Sequence, residues 1–300
     1  MHNELLNWFY LNKRNLPWRH GRSPYRVWVS EIMLQQTQVK TVIPYYKKWI
    51  KKYPTLKSFK ESNFDDVIKL WEGLGYYTRC QNMFNAAKLI KSSFPNNYED
   101  LIKLPGIGDY TAKTILAIAF KKKSVGVDTN LERIGYRVLG LKKKTKRNQK
   151  RVIRFLEENQ CTKNPGDYNE ALMDLGSSLC KANITHCNEC PLKSICKAYA
   201  YSSPTSYPTT KASKKIPIYD IAISVIEYEK KVLITKRQNT KFLSGLWEFP
   251  GGKIEKHETA LEAIIREVKE ETNLTISNPL FLGNVSHKYC LLYTSDAADE

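Results

Sequence analysis

Four cysteines lie close together in the chain, Cys180, Cys187, Cys190 and Cys196, in the order Cys-x6-Cys-x2-Cys-x5-Cys. Thiolates packed so closely repel one another unless a cation or cluster takes up their charge, so the quartet reads as a metal site. Zinc and a 4Fe-4S cluster both accept four thiolates. Zinc sites usually come as two Cys-x2-Cys pairs, and only one is present here, so the spacing favours iron-sulfur. Cys80, Cys161 and Cys290 fall outside the pattern. A second group begins at Leu104, where Pro105 and Gly106 stop a helix that runs out through Leu101, Ile102 and Leu104. Gly108 leaves the backbone bare just before the Ala- and Ile-rich helix Thr111 to Phe120. A Gly-x-Gly hairpin of this kind points several N–H groups and a helix N-terminus the same way, which suits a phosphate oxygen; a plain helix turn is the alternative. Downstream, Asp128 is a lone carboxylate at the mouth of a helix opening Thr129-Asn130-Leu131, a position where an N-cap contributes about 0.5 to 2 kcal/mol. Upstream, Glu31 lies between Trp28 and Val39 among apolar and amide side chains, with Gln35 one turn on. Such surroundings raise a carboxyl pKa and keep its proton near neutral pH. Towards the C-terminus Glu267, Glu270 and Glu271 recur at i, i+3 and i+4, three carboxylates on one helix face that could hold Mg2+.

The elements that must position these residues change character along the chain. Three hundred residues suggest two domains. Residues 1–200 read as nearly all helix, with apolar residues at three- and four-residue spacings and turns at Pro17, Pro54, Pro95 and Pro105. Helices are expected over Val27 to Tyr46, as one or two segments, over Phe64 to Gly73 and over Gln81 to Ser92. Residues 201–216, rich in Ser, Thr and Pro, read as a linker. Residues 217–290 then show a shorter period, with strands around Ile221 to Ile226 and Lys231 to Ile234 and a helix from about Glu258 to Glu271. Residues 291–300 keep neither pattern and read as a truncation or a non-native end. Lys and Arg number 48 against 30 Asp and Glu, a net charge of +18, and they cluster at Lys121 to Lys123 and Lys142 to Arg147. That field favours a polyanion and salt-sensitive binding. With no signal-peptide pattern and no apolar run long enough for a membrane span, a cytoplasmic chain with reduced thiols and no membrane partner is expected.

The LPGIG turn, the Val127-Asp128 that follows and the cysteine spacing together resemble the iron-sulfur-bearing helix-hairpin-helix DNA glycosylases of the endonuclease III and MutY branches. The resemblance covers residues 1–200 and implies a mainly α, two-lobed fold with a 4Fe-4S cluster on the four cysteines in the loop 180–196. The stretch Ser30-Glu31-Ile32-Met33-Leu34-Gln35-Gln36-Thr37-Gln38-Val39 is similar to the matching helix of MutY-type adenine glycosylases. There the matching Glu protonates adenine on its imidazole ring, and the matching Asp stabilises the cationic sugar. Tyr110 stands where the endonuclease III branch carries the lysine that forms a Schiff base, so the resemblance implies base removal without efficient strand cleavage. A thymine-mismatch branch also has Tyr there, so this position does not select adenine. Arg19 and Asn130 match residues lining the base pocket and sugar. Gln36 and Tyr76 match residues that wedge into the duplex, and Gly106, Gly108 and Lys113 match the phosphate-contacting hairpin. The implied substrate is double-stranded DNA with adenine opposite 8-oxoguanine or guanine, acted on by a monomer associated with the nucleoid.

The second domain resembles a Nudix fold. Gly252, Glu258 and Arg266-Glu267-Val268-Lys269-Glu270-Glu271-Thr272-Asn273-Leu274 match the Nudix box at every fixed position but one, Asn273 standing where Gly is expected. Asn also tolerates a left-handed cap. Val285-Ser286-His287 is similar to the loop with which MutY-type proteins read 8-oxoguanine, which implicates Ser286. A box this complete leaves a MutT-like pyrophosphatase open as an additional activity. The domain is nonetheless shorter than Nudix folds usually are, so a partial α+β domain is expected.

Overall fold

Prolines and capping side chains set where many of the helices begin. Ser23 accepts a bond from Arg26 N at 3.3 Å and Pro24 occupies the first turn of α2 (Pro24–Leu34), which follows α1 (His2–Asn12). Next come α3 (Val39–Lys52), α4 (Leu56–Lys60), α5 (Phe64–Trp71), α6 (Tyr77–Leu89) and α7 (Tyr98–Leu101). They lead to α8 (Asp109–Ile118), α9 (Thr129–Val138), α10 (Lys146–Glu158), α11 (Pro165–Ser178) and α12 (Lys197–Ala200). The computed structural model describes residues 1–209, 218–237 and 247–286 and divides the chain into two units, Met1–Lys211 and Ala212–Glu300. Among the described residues no helix is long and apolar enough to cross a membrane.

The first unit has two hydrophobic cores. Residues from Leu16 to Ile118, on α2 to α8 and the segments before and between them, build one around Trp28, Trp49, Phe59 and Trp71. The other joins Leu5 and Phe9 of α1 to Leu131, Ile134, Val152, Tyr168 and Leu172 of α9 to α11. The chain therefore starts in the second core, builds the first and returns, and Asp128 lies where it comes back. In the second unit β1 (Ile221–Ile223) pairs antiparallel with β6 (Gly251–Lys253), β2 (Glu227–Tyr228) with β3 (Lys231–Val232), and β4 (Thr235–Lys236) with β5 (Trp247–Glu248). Helix α13 (Ala260–Thr272) packs on β1 and β6, burying Ala263, Ile264 and Val268.

Several boundaries differ from the periodicity. The stretch from Val27 to Tyr46, expected as one or two helical segments, forms two that reach beyond it at both ends, parted at Gln35–Gln38, where Gln36 turns left-handed at φ 55°. The helix before the glycine hairpin is only the single turn α7; Leu104 lies beyond it, in a turn closed by Leu104 N to Leu101 O and Ile107 N to Leu104 O, both 3.1 Å. Residues 201–209 of the expected linker lie against the first unit, where Arg137 Nε donates to Tyr207 O and Thr209 N to Lys142 O, both at 2.9 Å. The rest of that linker, Gly245, Leu246, His287, Cys290 and the tail 291–300 lie wholly or partly outside the described residues.

Candidate active site

Helix α2 is buried from Val27 to Met33, and Glu31 is its only carboxylate, 5% exposed. Burial pushes the carboxyl up to about 7; the Tyr110 hydrogen bond opposes this, and the negative charges of Glu170 and Asp128 add to it. Glu31 Oε2 accepts the bond from Tyr110 Oη at 2.9 Å. The phenol is itself held far above its usual range, first by burial and then by the charges of Glu31 and Asp128, so it remains a neutral donor. One turn further along α2, Gln35 Nε2 reaches Thr111 Oγ1 at 3.5 Å.

Asp128 caps α9. Its Oδ1 accepts from Asn130 N at 2.9 Å and Leu131 N at 2.7 Å, and Asn130 Nδ2 donates to Oδ2 at 2.9 Å. Three N–H groups thus fix the carboxylate over the positive end of a helix. Arg133 orients Asn130 by donating to its Oδ1 at 2.9 Å, and also reaches Gly176 O and Cys180 O. What lets the returning segment lie so close to α8 is Gly126: a Cβ there would sit 2.0 Å from Thr114 Oγ1 and 2.8 Å from Tyr110 O.

The other expected residues divide. The Arg19 side chain is buried, with Nε 3.4 Å from Glu170 and NH1 2.8 Å from Asp174; its guanidinium lies over the Phe9 ring. It therefore backs Glu170, whose charge acts on Glu31. Gln36 and Tyr76 are both left-handed, at φ 55° and 51°; Arg79 donates to Gln35 O and Thr37 Oγ1 on either side of the first and lies over the ring of the second. Gly106 takes φ 78°, and Gly108 caps α8 with no side chain on its N–H groups and open space around its Cα. Lys113 lies on α8 with its ammonium 3.3 Å from Asp109 and 3.7 Å from Glu157.

Cys180, Cys187, Cys190 and Cys196 line one common cavity with Arg137, whose NH1 donates to Cys180 Sγ at 3.1 Å. Burial drives the Cys190 thiol up to about 12, and the charges of the other three cysteines push the same way. Among the described residues no group of three or more His, Cys, Asp or Glu side chains is placed to hold a metal ion, although the four thiols line the same cavity. Among the described residues the Nudix carboxylates do not form a Mg2+ site either. Glu267 Oε1 and Glu270 Oε2 lie 2.9 and 3.5 Å from Arg266 NH1, and Glu271 Oε2 accepts from Gly251 N at 3.4 Å. Asn273 does take the left-handed cap, at φ 59°, and Ser286 is exposed.

Sequence reasoning missed Glu170, Arg79, Arg133 and Gly126. Arg79 had a signal: it falls on the face of α6 that carries Met83, Ala86 and Ala87, where an arginine must find polar partners inside the fold. Glu170 had none, since its neighbours in space come from distant parts of the chain.

Residues 29–158 match the HhH-GPD superfamily base excision DNA repair protein model, and residues 218–299 the NUDIX domain. A protein of Buchnera aphidicola subsp. Baizongia pistaciae named adenine DNA glycosylase is 38% identical over 252 residues, 82% of this chain and 72% of that protein. The adenine DNA glycosylase of Homo sapiens is 30% identical, covering 95% of this chain and 64% of its own. Among solved structures, a thermostable thymine-DNA glycosylase aligns with a TM-score of 0.61 at 25% identity, over 67% of this chain and 95% of that one. Endonuclease III in a non-covalent DNA complex shares the fold, with a TM-score of 0.56 at 20% identity over 67% of this chain and 94% of that one. The chain belongs to the adenine DNA glycosylase family of base excision DNA repair enzymes.

Proposed function

We propose that this enzyme excises adenine paired with 8-oxoguanine or guanine in double-stranded DNA, with Glu31 as general acid and Asp128 as the anion beside the sugar. The observation that carries the reading is Glu31 itself: a buried carboxyl raised to about 7 and held by a neutral phenol donor. Protonated Glu31 gives its proton to the imidazole ring of a flipped-out adenine. The C1′–N9 electron pair then leaves with the base, and the sugar cation forms against Asp128, which cannot move because Asn130 and Leu131 grip it. Water adds to C1′ and its proton returns to Glu31, leaving an abasic site and restoring the acid. Tyr110 has no amine, so no Schiff base forms and the strand stays intact.

The four cysteines suit a 4Fe-4S cluster: the donors are all thiols, they ring a common space, and Arg137 supplies positive charge to one of them. Such a cluster, when bound, would cross-link the loop 180–196. Gly106 and Gly108 serve a phosphate, Gln36 and Tyr76 enter the duplex where the base leaves, and Ser286 serves recognition of 8-oxoguanine.

Alkali cleavage of duplex substrates tests the assignment. Strand breaks are expected at adenine opposite 8-oxoguanine, only after alkali, and none at thymine opposite guanine. Thymine release with adenine untouched would instead align the chain with the thymine-DNA glycosylase it resembles in fold.

A further inference from the structure

Arg79 is 9% exposed, and burial lowers its guanidinium to about 10. The groups it bonds are all neutral oxygens. NH1 donates to Ile32 O and Met33 O, each at 2.9 Å, and to Gln35 O; NH2 donates to Thr37 Oγ1 at 3.0 Å and Gly75 O at 3.2 Å. Its plane lies 5.0 Å from the Tyr76 ring and 5.5 Å from Trp71. An arginine used only to cap the C-terminus of α2 would need the first three bonds alone. The others bracket two particular residues. Gln35 and Thr37 flank left-handed Gln36, while Gly75 precedes left-handed Tyr76 and the guanidinium covers its ring. Left-handed backbone is disfavoured at residues with a Cβ, so each turn needs outside contacts to persist. One rigid fork supplies contacts to both, and it joins segments separated by about forty residues of chain.

We propose that Arg79 is the positioning residue that fixes Gln36 and Tyr76 relative to each other, so that both can enter the base stack together. The inference rests on the wedge roles given to those two side chains above. Lysine cannot replace it, because an ammonium has no planar fork to span both turns.

A double-mutant cycle under single-turnover conditions on the adenine:8-oxoguanine duplex tests this. Gln36→Ala with Tyr76→Ala measures the wedge, Arg79→Lys the fork, and the triple variant their combination. Arg79→Lys is expected to slow base release about tenfold or more, and the triple variant to be no slower than the wedge variant, because the arginine acts only through those side chains. Losses that multiply to within about twofold would overturn the proposal and leave Arg79 as a general support of α2. Unchanged turnover in Arg79→Lys would overturn it as well. A wedge variant as fast as the parent would sink the wedge reading, a result distinct from either of these. Should Arg79→Lys fail to fold, Thr37→Val removes one partner of the fork with the arginine in place and takes its position in the cycle, with the same non-multiplicative outcome expected.

Discussion

At Glu31 chemistry and stability pull in opposite directions. The ordinary carboxyl value of 4.5 rises in the folded chain to about 7. The folded state therefore binds this proton more tightly than the unfolded one. The stabilisation this gives is complete below about pH 4.5 and is lost as pH rises through about 7, in total roughly 3 kcal/mol for a group this buried. Glu31→Gln, neutral and of the same shape, should lower base release by about 10^2- to 10^4-fold. At pH 8 it should also shift the urea midpoint upwards, a gain that fades towards pH 4.5. A variant less stable than the parent at pH 8 would mean that the carboxylate finds a stabilising partner. In the parent, release should decline as pH rises through about 7. The surroundings of Glu31 were legible because they are its own helix. Glu170 was not, because its burial comes from α11 packing across the chain's return path.

Helix α8 and the extended segment that runs back to Asp128 bring acid and anion together, and Gly126 sets how closely the two pack. Its N–H donates to Asn169 Oδ1 at 2.9 Å, while its missing side chain leaves room for Thr114 Oγ1 and Tyr110 O. Gly126→Ala would force this segment off α8 and draw Asp128 away from Tyr110 and Glu31. The expected cost is about 1 to 3 kcal/mol of stability together with a drop in kcat, since a small displacement at the reacting centre can cost about a hundredfold. Adding Thr114→Ala removes the closer obstacle and should restore part of both; a double variant no better than the single one would contradict this packing. The hairpin glycines stood out in the sequence because they sit in a Leu-Pro-Gly turn. Gly126 did not, because what it makes room for is another helix. The position of the break after α2 was equally hidden: the run from Ser30 to Val39 keeps helical spacing, and Arg79, some forty residues on, supplies contacts that hold the turn.

Across the first unit, α9 carries Asp128 at its start and meets the cysteine segment further along, through Arg133 and Arg137. The second of these donates to Lys181 O at 2.7 Å, Ala182 O at 2.8 Å and Tyr207 O at 2.9 Å. The quartet was legible because all four cysteines fall in one short segment. What that segment braces was not, because its arginine partners come from a helix far back in the chain. From Lys181 to Thr209 the segment forms only the single-turn helix α12 and short 3-10 turns, and Leu192, Ala198 and Tyr207 are its buried hydrophobic side chains. So little apolar burial cannot order it alone, which leaves the arginines and whatever the thiols bind. The parent protein is expected to be straw-brown with absorbance near about 400 nm, as thiolate-bound iron-sulfur clusters are. Cys196→Ser should remove that band, lower Tm by about 4 °C or more and open residues 181–209 to proteolysis, while the core around Trp28 and Trp49 stays protected. A colourless protein holding stoichiometric zinc would replace the cluster but keep the mechanical role. A Cys196→Ser protein with undiminished protection in this segment would remove that role and leave the segment to its arginine contacts and its few buried side chains.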